Sequence, residues 1–105
     1  MTSLSFHQTS IWSLSEWISD TVTYPNGAVY KGELINKKPH GTGFILHRDG
    51  SSYRGQWLNG FWNGEGVENV SGEVYDGFFV DERRTGFGKC VYGDGRVYEG
   101  SWRED

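Results

Sequence analysis

The sequence predicts an all-β protein: an elongated, single-layer antiparallel meander of tandem β-hairpin repeats, preceded by a short N-terminal helix. Three observations carry that expectation. A pentad that opens on tyrosine and has glycine third occurs as Tyr30-Lys31-Gly32-Glu33-Leu34, Tyr53-Arg54-Gly55-Gln56-Trp57, Tyr75-Asp76-Gly77-Phe78-Phe79 and Tyr98-Glu99-Gly100-Ser101-Trp102, at steps of 23, 22 and 23 residues. A Gly-x-Gly mark keeps the same step as Gly41-Thr42-Gly43, Gly64-Glu65-Gly66 and Gly86-Phe87-Gly88. A turn pair stands just ahead of each tyrosine: Asn26-Gly27, Asp49-Gly50, Ser71-Gly72 and Asp94-Gly95. Fixed-period self-similarity of this kind is the signature of a repeat architecture.

Each unit reads as a hairpin. Tyr53, Gly55 and Trp57 alternate with Arg54, Gln56 and Leu58, which is the period of a strand. A bend is expected over Asn59 to Asn63, and a second strand from about Gly64 to Val70. Ser71-Gly72 then turns the chain into the next unit. Asn-Gly and Asp-Gly favour two-residue hairpin turns whose central residues both have positive φ. Gly32, Gly55, Gly77 and Gly100 lie between two large residues of one face, and a missing Cβ there leaves room for rings to lean across the strand. Stacking the units then makes a ladder of aromatics.

Composition agrees with an array. Sixteen glycines accompany seventeen aromatics in 105 residues, whereas disordered chains have few aromatics. Hydrophobic residues make up only 35%, too few for a thick core but enough for units that pack on their neighbours. A net charge of −4 argues against nucleic acid, whose phosphates require clustered Lys and Arg. The local basic spots, Lys37-Lys38 with His40 and Arg83-Arg84, read as solvated charges at hairpin bends. Cys90 is the only cysteine, so no intrachain disulfide forms. No apolar run reaches the ~18 residues of a spanning helix, and no secretory signal is legible. The expected location is the cytoplasm, with the cytoskeleton or the membrane periphery as places of attachment.

The tyrosine pentad with its second aromatic, followed by Gly-x-Gly and Asp-Gly in one register, closely resembles the MORN repeat (membrane occupation and recognition nexus). The resemblance covers residues 21 to 105. Leu34 stands where the family usually has an aromatic, and Phe78-Phe79 adds one. The resemblance implies an elongated, twisted single-layer sheet with no catalysis of its own. Such arrays serve as scaffolds, as partner-binding grooves or as modules attached to enzymes.

The ends differ from the middle. Residues 21–27 match a closing strand and turn, so a half repeat opens the array. Repeats then start at residues 28, 51 and 73, and a final partial repeat starts at 96. The array ends on a strand whose edge is open. Either it continues in a longer array or the edge serves self-association. Residues 1–20 form a separate leader. They hold six serines, and Ile11, Leu14 and Ile18 fall at helical spacing. Ser13 with Glu16 offers a capping box. A short amphipathic helix is expected from about Ile11 to Ile18. Ile11, Trp12, Leu14, Trp17 and Ile18 would make it a capping or docking segment.

Chemistry is sparse. His7, His40 and His47 share no metal-ligand spacing with Cys90. Cys90 has no paired histidine and reads as a small buried residue. The Gly-x-Gly pairs lack the strand–loop–helix context of a phosphate loop. No catalytic residue, metal or cofactor is therefore expected, and the protein is not expected to be an enzyme. The leading expectation is a protein-binding scaffold. Its aromatic groove would be formed by Tyr30, Leu34, Tyr53, Trp57, Tyr75, Phe79, Tyr98 and Trp102, and would hold a helix or extended peptide of another protein. Two alternatives stand beside it. One is assembly with further copies of itself through the open edge or the N-terminal segment. The other is peripheral binding to anionic lipid through Lys37, Lys38, Arg83 and Arg84.

Overall fold

A computed structural model describes residues 17–103. They form one eight-stranded antiparallel sheet in which every strand pairs with its sequence neighbours. The strands are β1 (Trp17–Thr23), β2 (Val29–Ile35), β3 (Lys38–Leu46), β4 (Ser52–Leu58), β5 (Phe61–Val70), β6 (Glu73–Val80), β7 (Arg83–Val91) and β8 (Val97–Arg103). The radius of gyration is 15.1 Å, and the principal extents are 45 × 30 × 24 Å. A compact domain of this length would have a radius near 13 Å, so the meander is elongated.

One row of residues sets the register. Gly32, Gly43, Gly55, Gly66, Gly77, Gly88 and Gly100 are successive Cα partners across β2 to β8. In β1 the same place is taken by Asp20, opposite Gly32. The glycines leave a furrow, and tyrosines fill it. Tyr30 lies over Gly32 and Gly43, Tyr53 over Gly55 and Gly66, and Tyr75 over Gly77 and Gly88; a Cβ on Gly43, Gly66 or Gly88 would sit inside the phenol above it. All three tyrosines are fully buried.

The two glycines of each Gly-x-Gly have different reasons. The second gives the tyrosine room. The first has positive φ: +83° at Gly41, +99° at Gly64 and +64° at Gly86. It lies in a bulge where the pairing slips between Gly32 and Leu34, Gly55 and Trp57, and Gly77 and Phe78. The carbonyl in the kinked strand accepts the tyrosine hydroxyl. Tyr30 donates to Glu33 O (2.7 Å), Tyr53 to Gln56 O (2.8 Å), Tyr75 to Phe78 O (3.1 Å) and Tyr98 to Ser101 O (3.0 Å). A buried phenol is thereby satisfied without reaching water.

The core is a zigzag of rings. Tyr30, Trp57, Tyr53, Phe79, Tyr75, Trp102 and Tyr98 touch in that order, with centroids 5.0–5.3 Å apart and planes at 80–88°. Each such edge-to-face pair adds ~0.5–1.5 kcal/mol beyond area burial. Trp57 Nε1 donates to Gly43 O, and Trp102 Nε1 to Gly88 O, both at 3.0 Å.

The turns depart from expectation in an orderly way. Two-residue turns with paired positive φ occur at Asn36-Lys37, Asn59-Gly60, Ser71-Gly72 and Asp81-Glu82. At Asn26-Gly27, Asp49-Gly50 and Asp94-Gly95 only the glycine has positive φ. There the turn is one residue longer: Gly50 N–H donates to His47 O and His47 N–H to Ser51 O. These bonds and the positive φ of the glycine are the pattern of a three-residue loop that ends on a left-handed glycine. Ser71-Gly72 is the one two-residue turn on that side, and the missing residue shortens the step from Tyr53 to Tyr75 to 22.

Two boundaries are corrected. β5 begins at Phe61, so the expected bend over residues 59 to 63 is only Asn59-Gly60. Trp17 and Ile18 belong to β1, paired with Ile35 and Leu34, rather than to the end of a helix. Pairing with β2 offers their backbones a partner that a short helix lacks. The rest of the expected helix, Ile11 to Glu16, lies outside the described residues, and no helix occurs among those described.

Candidate partner-binding groove

One face of the sheet, called inward here, carries the repeated aromatics, but most of them are core. Tyr30, Leu34, Tyr53, Trp57, Tyr75 and Phe79 are buried, Trp102 is half-buried, and Tyr98 is exposed. The six buried side chains therefore form a floor rather than a contact surface. What varies above that floor comes from the second strand of each hairpin. Pro39, Trp62 and Arg84 occupy one equivalent position, opposite Leu34, Trp57 and Phe79. Ile45, Glu68 and Cys90 occupy another, opposite Tyr30, Tyr53 and Tyr75.

In the first two repeats this layer is apolar at Pro39, Ile45 and Trp62 and acidic at Glu68. Trp62 stacks flat on Tyr53, with centroids 4.5 Å apart and planes 4° apart. Tyr24, Pro39, Ile45, Trp57 and Trp62 line an open groove of about 420 Å³. Lys37 and Lys38 stand on its rim, with His47, Asn59 and Glu82. No carboxylate pairs with either lysine among the described residues. Desolvation raises the Glu82 carboxyl above its usual value, opposed by a backbone hydrogen bond from Trp62 and by the charge of His47.

The third repeat is built differently. Arg84 is buried, its guanidinium 4.8 Å above the Tyr75 ring and 5.3 Å from that of Trp102. Its Nε meets Glu68 Oε1 and its Nη2 meets Glu73 Oε2, each at 3.0 Å. Burial works against the charge, but the bonds to Glu68 and Glu73 outweigh it and raise the arginine pKa. Arg84 is thus no solvated bend residue, and its charge is already engaged by two acids. Cys90 lies beside it as a fully buried free thiol.

Of the expected docking segment, Ile11, Trp12 and Leu14 lie outside the described residues, and only the strand placement of Trp17 and Ile18 is described. Trp62, Tyr24, Ile45 and Pro39 were not among the expected groove residues. Trp62 was missed because the bend was drawn too long. Asn59-Gly60 is an Asn-Gly pair of the kind that forms two-residue turns, and reading it so would have placed Trp62 on a strand. Among the described residues no group of three or more His, Cys, Asp or Glu side chains is placed to hold a metal ion. No helix there is long and apolar enough to cross a membrane.

Fold and groove together define a β-hairpin repeat array. The MORN repeat family model matches residues 30–52, 53–69 and 75–95, more than half of the chain, and the chain belongs to that family. No curated protein matches it. MORN repeats are generally non-enzymatic binding or scaffold modules.

Proposed function

We propose that this chain is a non-enzymatic scaffold that holds a helix or extended segment of another protein along the inward groove. The observation that carries this is the open apolar groove of the first two repeats, floored by Ile45, Trp57 and Trp62 and rimmed by Lys37 and Lys38. Buried aromatic anchors inside a polar rim are the usual makeup of a protein contact. Recognition then lies in the variable layer over a fixed floor: an apolar anchor goes onto Trp62, and an acidic group of the partner goes to the lysines. The free thiol of Cys90 suits the cytoplasm as the place of action.

Affinity capture from the native cell tests this. Trp62→Ser and the pair Lys37→Glu, Lys38→Glu change the groove, while Phe87→Ser changes the exposed outer face. Circular dichroism checks that each variant is folded. The groove variants lose the partner and the outer-face variant keeps it. Equal loss from both faces sinks the proposal.

A further inference from the structure

The groove carries opposite charges on its two end bends. Lys37, Gly60 and Glu82 are the second residues of the bends that join β2 to β3, β4 to β5 and β6 to β7, and all three line the groove. Their φ angles are +66°, +90° and +67°. A left-handed backbone suits glycine and costs energy with any Cβ. The middle bend has the glycine. The outer two hold a lysine and a glutamate in the same conformation. Lys38 adds a second cation at the first bend, and His47 also lines the groove. At the third, Arg84 meets two carboxylates, Glu68 and Glu73, so that cluster adds a net negative charge beside Glu82. Glu82 is also pinned next to the aromatic anchor. Its N–H donates to Trp62 O at 3.0 Å, and its carboxylate accepts the Trp62 N–H.

We propose that the groove takes an amphipathic helix of the partner that is acidic at one end and basic at the other. Its acidic end lies on Lys37 and Lys38, its basic end on Glu82, and its apolar face on Ile45, Trp57 and Trp62. This rests on the groove reading above and adds the form and the polarity of the occupant.

The form follows from the floor. Every strand from β2 to β7 is paired on both sides, so its main chain is engaged and the groove offers side chains. An extended segment laid there would lose water from its own amides without replacement. A helix bonds its amides internally. The polarity follows from the bends. They are four strands apart, so at ~4.8 Å per strand their backbones stand roughly 20 Å from each other. Both side chains reach into the one groove, which brings the charges closer. Three helical turns span about 16 Å, and residues eleven apart fall on one side of a helix.

The test uses the intact chain and fifteen-residue alanine-rich peptides with the same leucines on one face and a side-chain link on the other to hold the helix. The first has glutamate at its third position and lysine at its fourteenth. The second has glutamate at both, and the third has lysine at both. Amide NMR at low salt, where rim charges are least screened, follows the titrations. The first peptide is expected to bind at least about threefold more tightly than the other two. Glu82→Lys should move the preference to the second peptide, and Lys37→Glu with Lys38→Glu to the third. The bends tolerate the exchange, because each already shows the other's residue type at nearly the same φ. A fourth peptide, the first with proline at its eighth position, breaks the helix and should lose most of the binding.

Equal binding of the three charge forms, abolished by Trp62→Ser, overturns this inference and leaves the groove reading standing. A preference that does not follow the two exchanges overturns it as well, and so does undiminished binding of the proline peptide. No binding of any peptide at millimolar concentration also overturns it, while the capture experiment above still decides the groove.

Discussion

The second and third repeats share a backbone and differ in what they place above it. Both have a tyrosine clamp, a glycine pair, a bulge and a two-residue turn. In the second, Trp62 lies flat on Tyr53. In the third, Arg84 at the equivalent position lies over Tyr75 and against Trp102. A guanidinium is planar and stacks on ring faces, so it can stand where an indole stands. It also brings a charge, and two glutamates are needed to hold that charge out of water. The bulge differs as well. Gln56 Oε1 accepts the Glu65 N–H at 2.7 Å, and Glu33 Oε1 accepts that of Thr42 in the first repeat. Phe78 at that place in the third cannot do so. The comparison teaches that the furrow and clamp specify the fold, while the inward positions of each hairpin's second strand are free to vary.

The largest expected effect probes what the repeats share. Trp57→Ala removes two edge-to-face contacts and the bond to Gly43 O, and should cost about 3–5 kcal/mol in urea unfolding. A loss under about 1 kcal/mol would mean the ring ladder is not the core. Next comes what they do not share. Arg84→Trp copies the second repeat but leaves Glu68 without its cation, and should cost about 2–3 kcal/mol. This is below the ~3–5 for a fully buried pair, because Glu73 is partly exposed. Adding Glu68→Ile, the residue of the first repeat at Ile45, should recover most of that loss. A double variant no better than the single would show that the two layers are not interchangeable. Gly66→Ala forces the Tyr53 ring to move and should cost about 1–3 kcal/mol, whereas Gly50→Ala at the open turn should cost less.

Tyrosine titration reports on the clamped rings. Burial raises the Tyr30, Tyr53 and Tyr75 hydroxyls above their ordinary value. The folded chain then keeps protons that the unfolded chain releases near pH ~10, so this contribution to stability is complete below that pH and is lost as pH rises beyond it. Absorbance at 295 nm should show these three ionising only with unfolding. The smallest effect is at the turns. Glu82 has φ +67° where the second repeat has Gly60 at +90°. Glu82→Gly should therefore stabilise by up to about 1 kcal/mol, seen as a small rise in Tm.

Much of the fold was legible because the furrow demands it. Only glycine fits beneath a tyrosine, so every unit repeats both residues and the period shows. The inward positions of the second strands were not legible. Pro39, Trp62 and Arg84 share no residue type, because each meets a different neighbour rather than a common steric demand. Arg84 in particular looked like a bend charge, since its partner Glu68 is 16 residues away and no local pattern joins them. The burial of five expected groove rings and of Leu34 was hidden for a related reason. Period two assigns a face, but not whether the rings on that face pack over one another.

The most direct measurement of the groove reading is site-specific photo-crosslinking in the native cell. A photoreactive residue at Lys38, on the groove rim, is compared with one at Phe87, on the outer face. The account predicts a discrete protein adduct from position 38 and none from position 87. An adduct from position 87 alone, or the same adducts from both, would contradict it.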